Sequence, residues 1–294
     1  MANEFDSREI RLEEVIRAQI VEVGRRLYLR NYVASNDGNI SVRLGNNHLI
    51  TTPKSVSKGF MTPDMLVVTD LSGRKISGDR DPSSELLMHL TVYEDRPEIR
   101  AVVHAHPPTA TGFAVAGIPL DRAVLAEVVT TLGSIPIADY GTPSTQELAD
   151  AVRQYIKSHD GLLLANHGAL TVGRELMEAH YKMETIEHFA RISLVARSLG
   201  REHLLSREEV VRLQGLRGAY GITSPAALCL DDDDSVSASD TEMACQIVQT
   251  LQSSEGARLV PDNVPDVSAS DKSEIRLTYR ELTALIEDAV KHLR

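Results

Sequence analysis

Three histidines fall where strand geometry would let them share one metal ion. His104 and His106 alternate along Ala101-Val102-Val103-His104-Ala105-His106, an apolar run that reads as a buried strand. Side chains two residues apart on a strand project from the same face, so this pair could ligate together. His167 follows a second apolar run, Gly161-Leu162-Leu163-Leu164-Ala165. Three imidazoles leave a coordination position open for substrate, the arrangement of a catalytic rather than a structural zinc. A His-x-His pair alone is more often hydrogen-bonded within a core, and it gains meaning only from what accompanies it.

A carboxylate and anion-binding features accompany it. Asp81-Pro82-Ser83-Ser84-Glu85 has the punctuation of a helix N-terminus, with Asp or Ser as cap and Pro in the first turn. The amphipathic run that follows, to Tyr93, predicts a helix over residues 83–93. Free backbone N–H groups and the hydroxyls of Ser83 and Ser84 would suit a phosphate there, although capping alone would also account for the serines. Asp37-Gly38-Asn39-Ile40-Ser41-Val42-Arg43 places small and hydrogen-bonding side chains at the start of a strand. A second anion contact fits this position; taken alone it is a hairpin turn.

The elements that must carry these residues are legible in outline. Ile16, Ile20, Val23 and Leu27 at helical spacing predict a first helix ending near Asn31. Strands over residues 39–43, 48–52 and 66–69 are separated by Gly45-Asn46-Asn47 and by Ser72-Gly73, which suggests an antiparallel meander. After the 83–93 helix come the His104 strand, a helix over 109–116, a strand over 135–138, a helix over 144–155, the strand before His167 and a long helix over 175–199. This order predicts a three-layer α/β/α sandwich around a mainly antiparallel sheet.

Composition bounds the class. A chain of 294 residues that is 42% hydrophobic has ample material for a core without disulfides. The two cysteines, Cys229 and Cys245, lie outside the motif region, so neither a disulfide scaffold nor a cysteine metal site is indicated. A net charge of −11 argues against nucleic acid as a partner, and it requires any phosphorylated substrate to be held by local groups. The N-terminal residues are charged and no apolar stretch approaches membrane-spanning length, which predicts a cytoplasmic protein without a membrane segment.

Beyond Ile222 the character changes. Residues 223–271 are acidic, turn-rich and Pro/Ser-rich, with Asp231-Asp232-Asp233-Asp234 and Pro261-Asp262-Asn263-Val264-Pro265, and read as a flexible linker. Within it Ser239-x-x-Glu242 is a candidate capping box for a short helix over 240–252. Thr278-x-x-Glu281 is a second, and Leu282, Leu285, Ile286, Ala289, Val290 and Leu293 form an apolar stripe over the final segment, 272–294. Such a helix either folds back on its own assembly or docks elsewhere. Its composition resembles the encapsulation peptides that carry enzymes into bacterial microcompartments, whose shell or scaffold would then be a partner.

Four motifs in order carry a resemblance: Gly38-Asn39-x-Ser41-x-Arg43, Pro82-Ser83-Ser84-Glu85-x-x-x-His89, Val103-His104-x-His106-Pro107 and Leu164-x-Asn166-His167-Gly168. Over residues 8–222 the chain resembles the class II aldolase/adducin family, and within it the L-fuculose-phosphate aldolase type. The resemblance implies the same sandwich, assembled as a homotetramer with active sites between subunits. It implies reversible cleavage of a ketose 1-phosphate to dihydroxyacetone phosphate and an aldehyde, lactaldehyde if the sugar is fuculose. Zn2+ on His104, His106 and His167 would act as Lewis acid, Glu85 as proton-shuttling base, and Asn39, Ser83 and Ser84 as phosphate contacts.

Other members set the alternatives. Ribulose-phosphate 4-epimerases resemble the chain but have Asp at the position of Glu85. Phosphotetronate decarboxylases and methylthioribulose-phosphate dehydratases use the same scaffold, and adducin-like members keep the fold without the chemistry. Thr52-Pro53-Lys54-Ser55 stands where the aldolases usually have a glycine-containing phosphate loop, so Lys54 and Ser55 join the phosphate candidates. Tyr220 falls where related aldolases have a mobile tail tyrosine over the site, and reads equally as a helix-end aromatic. Near residues 122–128 no tyrosine corresponds to the one that protonates the aldehyde oxygen from a neighbouring subunit; Glu127 is the ionisable candidate there.

Overall fold

The computed structural model describes residues 7–223, with side chains from residue 11, together with two short strands further on. Chain contacts divide the protein into Met1–Ala244 and Cys245–Arg294. In the second unit Leu259–Val260 and Leu277–Thr278 pair in parallel. The rest of the 223–271 linker, the 240–252 helix, Cys229, Cys245 and the remainder of the 272–294 helix lie outside the described residues.

Residues 7–223 build a sandwich of three layers. An α-helix α1 (Ser7–Leu29) leads into strands β1 (Asn39–Leu44), β2 (His48–Thr51), β3 (Val67–Asp70) and β4 (Lys75–Ser77). Then come α2 (Leu86–Asp95), β5 (Ala101–Ala105), α3 (Pro108–Ala116), α4 (Ala126–Thr131), β6 (Ile137–Ala138) and α5 (Gln146–Ile156). The series ends with β7 (Gly161–Leu164), β8 (Gly168–Gly173), α6 (Leu176–Ser198) and α7 (Arg207–Leu216). The eight strands form one sheet in the order β4-β3-β2-β1-β5-β8-β7-β6, antiparallel throughout except for the β6–β7 pair. Among the described residues no helix is long and apolar enough to cross a membrane.

Period-2 alternation sorts the sheet into two unlike faces. Ile40 and Val42 of β1 and Ala101, Val103 and Ala105 of β5 join Ile20, Val23 and Leu27 of α1 and Met183, Ile186 and Phe189 of α6 in one apolar core. The residues between them, Asn39 and Ser41 of β1 and His104 of β5, are also buried but point to the opposite face. That face carries α2 and α5. Register places Asn39 directly opposite His104 and Ser41 opposite Val102. The polar residues of the motifs are therefore gathered where the sheet meets the start of α2.

Two polar struts fix α2 on that face. The Ser41 hydroxyl lies 2.7 Å from Nδ1 of His89 and 2.9 Å from the Tyr93 hydroxyl, which also lies 2.9 Å from the Ser41 carbonyl. Arg43 is buried and donates to the carbonyls of Tyr93 at 2.7 Å and Ile99 at 3.0 Å. These bonds commit the guanidinium to tying β1 to the end of α2.

Several boundaries differ from expectation for identifiable reasons. α2 opens at Leu86 rather than at residue 83, because the Ser83 N–H donates to the Thr52 carbonyl at 3.1 Å and the Lys54 N–H to the Asp81 carbonyl at 2.9 Å. Two loops are thus zipped together before the helix begins. β8 was not anticipated; Asn166, at φ 55°, turns the chain tightly so that β7 and β8 pair as neighbours. α4 and α7 were not anticipated either, although Ser206 and Glu209 form a capping box at the start of α7 that is readable in the sequence.

Candidate metal centre

The three histidines converge. His104 is fully buried at the end of β5, His106 lies one residue past the strand, and His167 sits in the β7–β8 turn. One ligand atom from each lies within 4.8 Å of the others. Two glycines permit the approach. A Cβ on Gly168 would stand 2.6 Å from the Ala105 carbonyl and 2.6 Å from the His106 ring, and one on Gly38, at φ +70°, would stand 2.7 Å from the His104 carbonyl.

Hydrogen bonds select the metal-binding face of two rings. Nδ1 of His104 donates to the Ala169 carbonyl at 2.9 Å, which leaves its Nε2 with the lone pair. Nδ1 of His106 faces the Asp37 carboxylate at 3.5 Å, the carboxylate–histidine pairing that orients metal ligands. The two Nε2 atoms are 3.1 Å apart. With both Nδ1 atoms protonated, two lone pairs face each other at that distance, an arrangement that suits a shared cation. Burial holds His104 well below the usual imidazole range and also lowers His106, with His167 acting in the same direction. Neutral imidazoles are the form that binds metal. The donor set therefore fits a divalent ion.

Glu85 completes the centre from the adjacent helical layer. As N-cap residue of α2 it turns its carboxylate back to the sheet, 3.1 Å from Nε2 of His167 and 3.6 Å from Nε2 of His104. Asn39 donates its amide to the other side of the same carboxylate at 2.7 Å. Burial opposes ionisation of Glu85, but the hydrogen bond from His167, the nearby imidazoles and Asn39 outweigh it and hold the carboxyl well below the usual range. Asn39, expected at the phosphate, is here also the residue that orients Glu85.

A cavity of about 280 Å³ opens beside these groups, lined by His106, His167 and Glu85 together with Lys54, Ser55, Ser83 and Ser84. With Asn39, all five expected phosphate residues thus line one site. Ser55 adopts φ 59°, so the loop keeps the left-handed geometry natural to glycine with a side chain in its place. Lys58 also lines the cavity and was not recognised from sequence. Its sequence signal is slight, a Lys-Gly pair between two strands.

Two expected residues stand elsewhere within one chain. Tyr220 is 65% exposed just past α7, and Glu127 is exposed at the start of α4, on a separate cavity with Tyr181 and His188. Neither lines the cavity beside the histidines. Residues remote in one subunit can reach a site only from a neighbouring copy or by movement.

The chain belongs to the class II aldolases in the broad sense: the family described as Class II Aldolase and Adducin N-terminal domain matches residues 18–194. It is 36% identical over 181 residues to an L-fuculose phosphate aldolase of Methanococcus maripaludis, covering 62% of this chain and 97% of that one. It is 31% identical over 187 residues to a 3-oxo-tetronate 4-phosphate decarboxylase of Pectobacterium atrosepticum, covering 62% and 85%. A solved L-fuculose 1-phosphate aldolase superposes with a TM-score of 0.64 at 30% identity, over 68% of this chain and 94% of that chain. With the fold, the three histidines and Glu85 together, the protein is a metal-dependent lyase of the aldehyde-lyase kind.

Proposed function

We propose that the protein is a zinc-dependent aldolase that cleaves a ketose 1-phosphate, of the L-fuculose 1-phosphate type, to dihydroxyacetone phosphate and an aldehyde such as lactaldehyde. The observation that carries this reading is the Glu85 carboxylate, 3.6 Å from Nε2 of His104 and 3.1 Å from Nε2 of His167, beside three convergent histidines and a cavity lined by hydroxyl and lysine donors.

His104, His106 and His167 would hold the zinc, and three neutral nitrogen donors are a usual catalytic zinc set. The ion supplies Lewis acidity toward the electron pair left when the C3–C4 bond breaks. Glu85 is kept deprotonated and so receives the proton released in cleavage and returns one to C3. Asn39 fixes the carboxylate through Oε2, leaving Oε1, the oxygen beside His167, to work. Ser55, Ser83, Ser84 and Lys54 receive the phosphate, a contact that binds ground and transition states alike.

The reading includes assembly as a homotetramer. It is supported by the placement of Glu127 and Tyr220 outside the cavity of their own chain, since a neighbouring copy would have to present any aldehyde-side proton donor.

The deciding experiment is an assay of dihydroxyacetone phosphate release from a panel of ketose 1-phosphates, with 3-oxo-tetronate 4-phosphate included. Both substrate kinds leave the same three-carbon phosphate. Release accompanied by aldehyde supports the proposal; release accompanied only by carbon dioxide assigns decarboxylation instead.

A further inference from the structure

Lys58 is a buried cation with a donor to spare. Its side chain is 2% exposed, and Nζ donates to two neutral carbonyls, Asn36 at 2.9 Å and Val56 at 2.7 Å. An ammonium has three N–H donors, so one is left over. The residue lines the same cavity as Ser83, Ser84 and Lys54. A charge taken out of water and given only neutral partners is costly unless an anion completes its surroundings.

Lys58 is also held rigidly. It opens the short turn Lys58–Phe60, which is pressed against α1: a Cβ on Gly24 would stand 2.9 Å from the Lys58 carbonyl, and one on Gly59 would stand 2.4 Å from the Tyr28 ring. Its contact with the Asn36 carbonyl ties this turn to the loop that carries Asp37, the carboxylate facing His106. Burial lowers the ammonium to about 8, with the carboxylates of Asp37 and Glu85 acting to raise it, so the group is still charged at neutral pH. Lys54, by contrast, is exposed and carries no such positioning.

We propose that Lys58 is the principal charged donor to the substrate's phosphate, its third N–H directed to a phosphomonoester dianion between the zipped loops at residues 52–55 and 81–84. Ser55, Ser83 and Ser84 then supply neutral donors around an anion that Lys58 anchors. The pairing fixes how far the phosphate lies from the metal end, because the same ammonium grips the Asp37 loop. The identity of the anion as a phosphate rests on the function proposed above; the role of Lys58 as anion anchor rests on its own geometry.

The test is titration of the metal-loaded full-length enzyme with inorganic phosphate, comparing wild type, Lys58→Met and Lys54→Met. Loss of a charge-assisted hydrogen bond should weaken phosphate binding roughly 10–100-fold in Lys58→Met, with metal content unchanged. The loss in Lys54→Met should be smaller. KM for the phosphorylated substrate should rise with the Lys58→Met loss while kcat stays within about threefold, the pattern of a contact made equally in both states. Equal phosphate affinity in Lys58→Met and wild type, or a larger loss in Lys54→Met, overturns the proposal, as does a lowered melting temperature with affinity intact, which would make Lys58 a loop strut only. If Lys58→Met does not fold, the side-chain 15N resonance of Lys58 in the wild-type protein decides: a shift on adding phosphate is expected, and no shift overturns the assignment. Phosphate binding through Lys58 without cleavage of any ketose 1-phosphate would refute the proposed function and leave this inference standing; cleavage with no Lys58 effect would do the reverse.

Discussion

Nε2 of His167 lies 3.1 Å from Oε1 of Glu85, although the two residues come from adjacent layers of the sandwich, one from a turn of the sheet and the other from the N-cap of α2. This contact makes the centre more than a metal site. It places an ionised carboxylate against one of the three rings that would hold a metal, so a base would stand beside a Lewis acid.

The metal is expected at about one ion per chain, with zinc bound in preference to harder cations by the all-imidazole set. His104→Ala, His106→Ala and His167→Ala should each purify with a small fraction of that content by elemental analysis. Full stoichiometry in a His104→Ala/His106→Ala double variant would show that the ion is held elsewhere.

Glu85→Gln keeps the shape and the Asn39 contact but removes the base. Turnover should fall roughly 10²–10⁴-fold with metal content and melting temperature near wild type. Near-normal turnover in this variant would shift the proton transfer to another group, with Glu127 first in line.

Gly38→Ala should lower stability by roughly 1–3 kcal/mol, because φ is +70° and the new Cβ would press on the His104 carbonyl. Metal affinity should fall with it, since the carbonyl it displaces belongs to a ligand. Thermal melting and a competitive metal titration would read both; a neutral result would mean that the β1–β5 approach is looser than it stands.

His89 gives a pH signature. Burial lowers its imidazole from 6.5 to about 4, with Glu85 acting weakly in the opposite sense. Between those values the unfolded chain binds the proton and the folded one does not, so stability falls as pH drops from about 6.5 towards 4. The contribution is on the order of 3 kcal/mol. Chemical denaturation at pH 7 and pH 4.5 should show a smaller acid loss in His89→Gln than in wild type; equal losses would assign the acid sensitivity to other titrating groups.

Deleting residues 271–294 should leave cleavage by the free enzyme within about twofold of wild type, because the family match ends at residue 194 and the cavity is lined by residues between Asn36 and His167. If truncation instead dissociates the assembly or lowers melting by several degrees, the terminal stripe belongs to the catalytic assembly and a docking role for it is wrong.

Much of this protein follows from local spacing. A period of two puts His104 and His106 on one face whatever surrounds the strand, and helical spacing of Ile16, Ile20, Val23 and Leu27 commits that stripe to the core. The layered α/β plan was readable for the same reason, since it depends on neighbours in sequence; the grouping of Lys54 and Ser55 with Ser83 and Ser84 was implied only by the family resemblance. What required the tertiary structure depends on residues far apart. The Thr52 carbonyl claims the Ser83 N–H and so delays α2 until Leu86, which turns Glu85 from a helical residue into a cap facing the histidines. The Ala169 carbonyl decides which nitrogen of His104 is free. Lys58 is charged and buried only because Asn36 and Val56 receive it, and Arg43 is a strut only because α2 ends beside it. Hydrogen-bond partners of this kind are chosen by the packing of layers, and no periodicity along the chain records that choice.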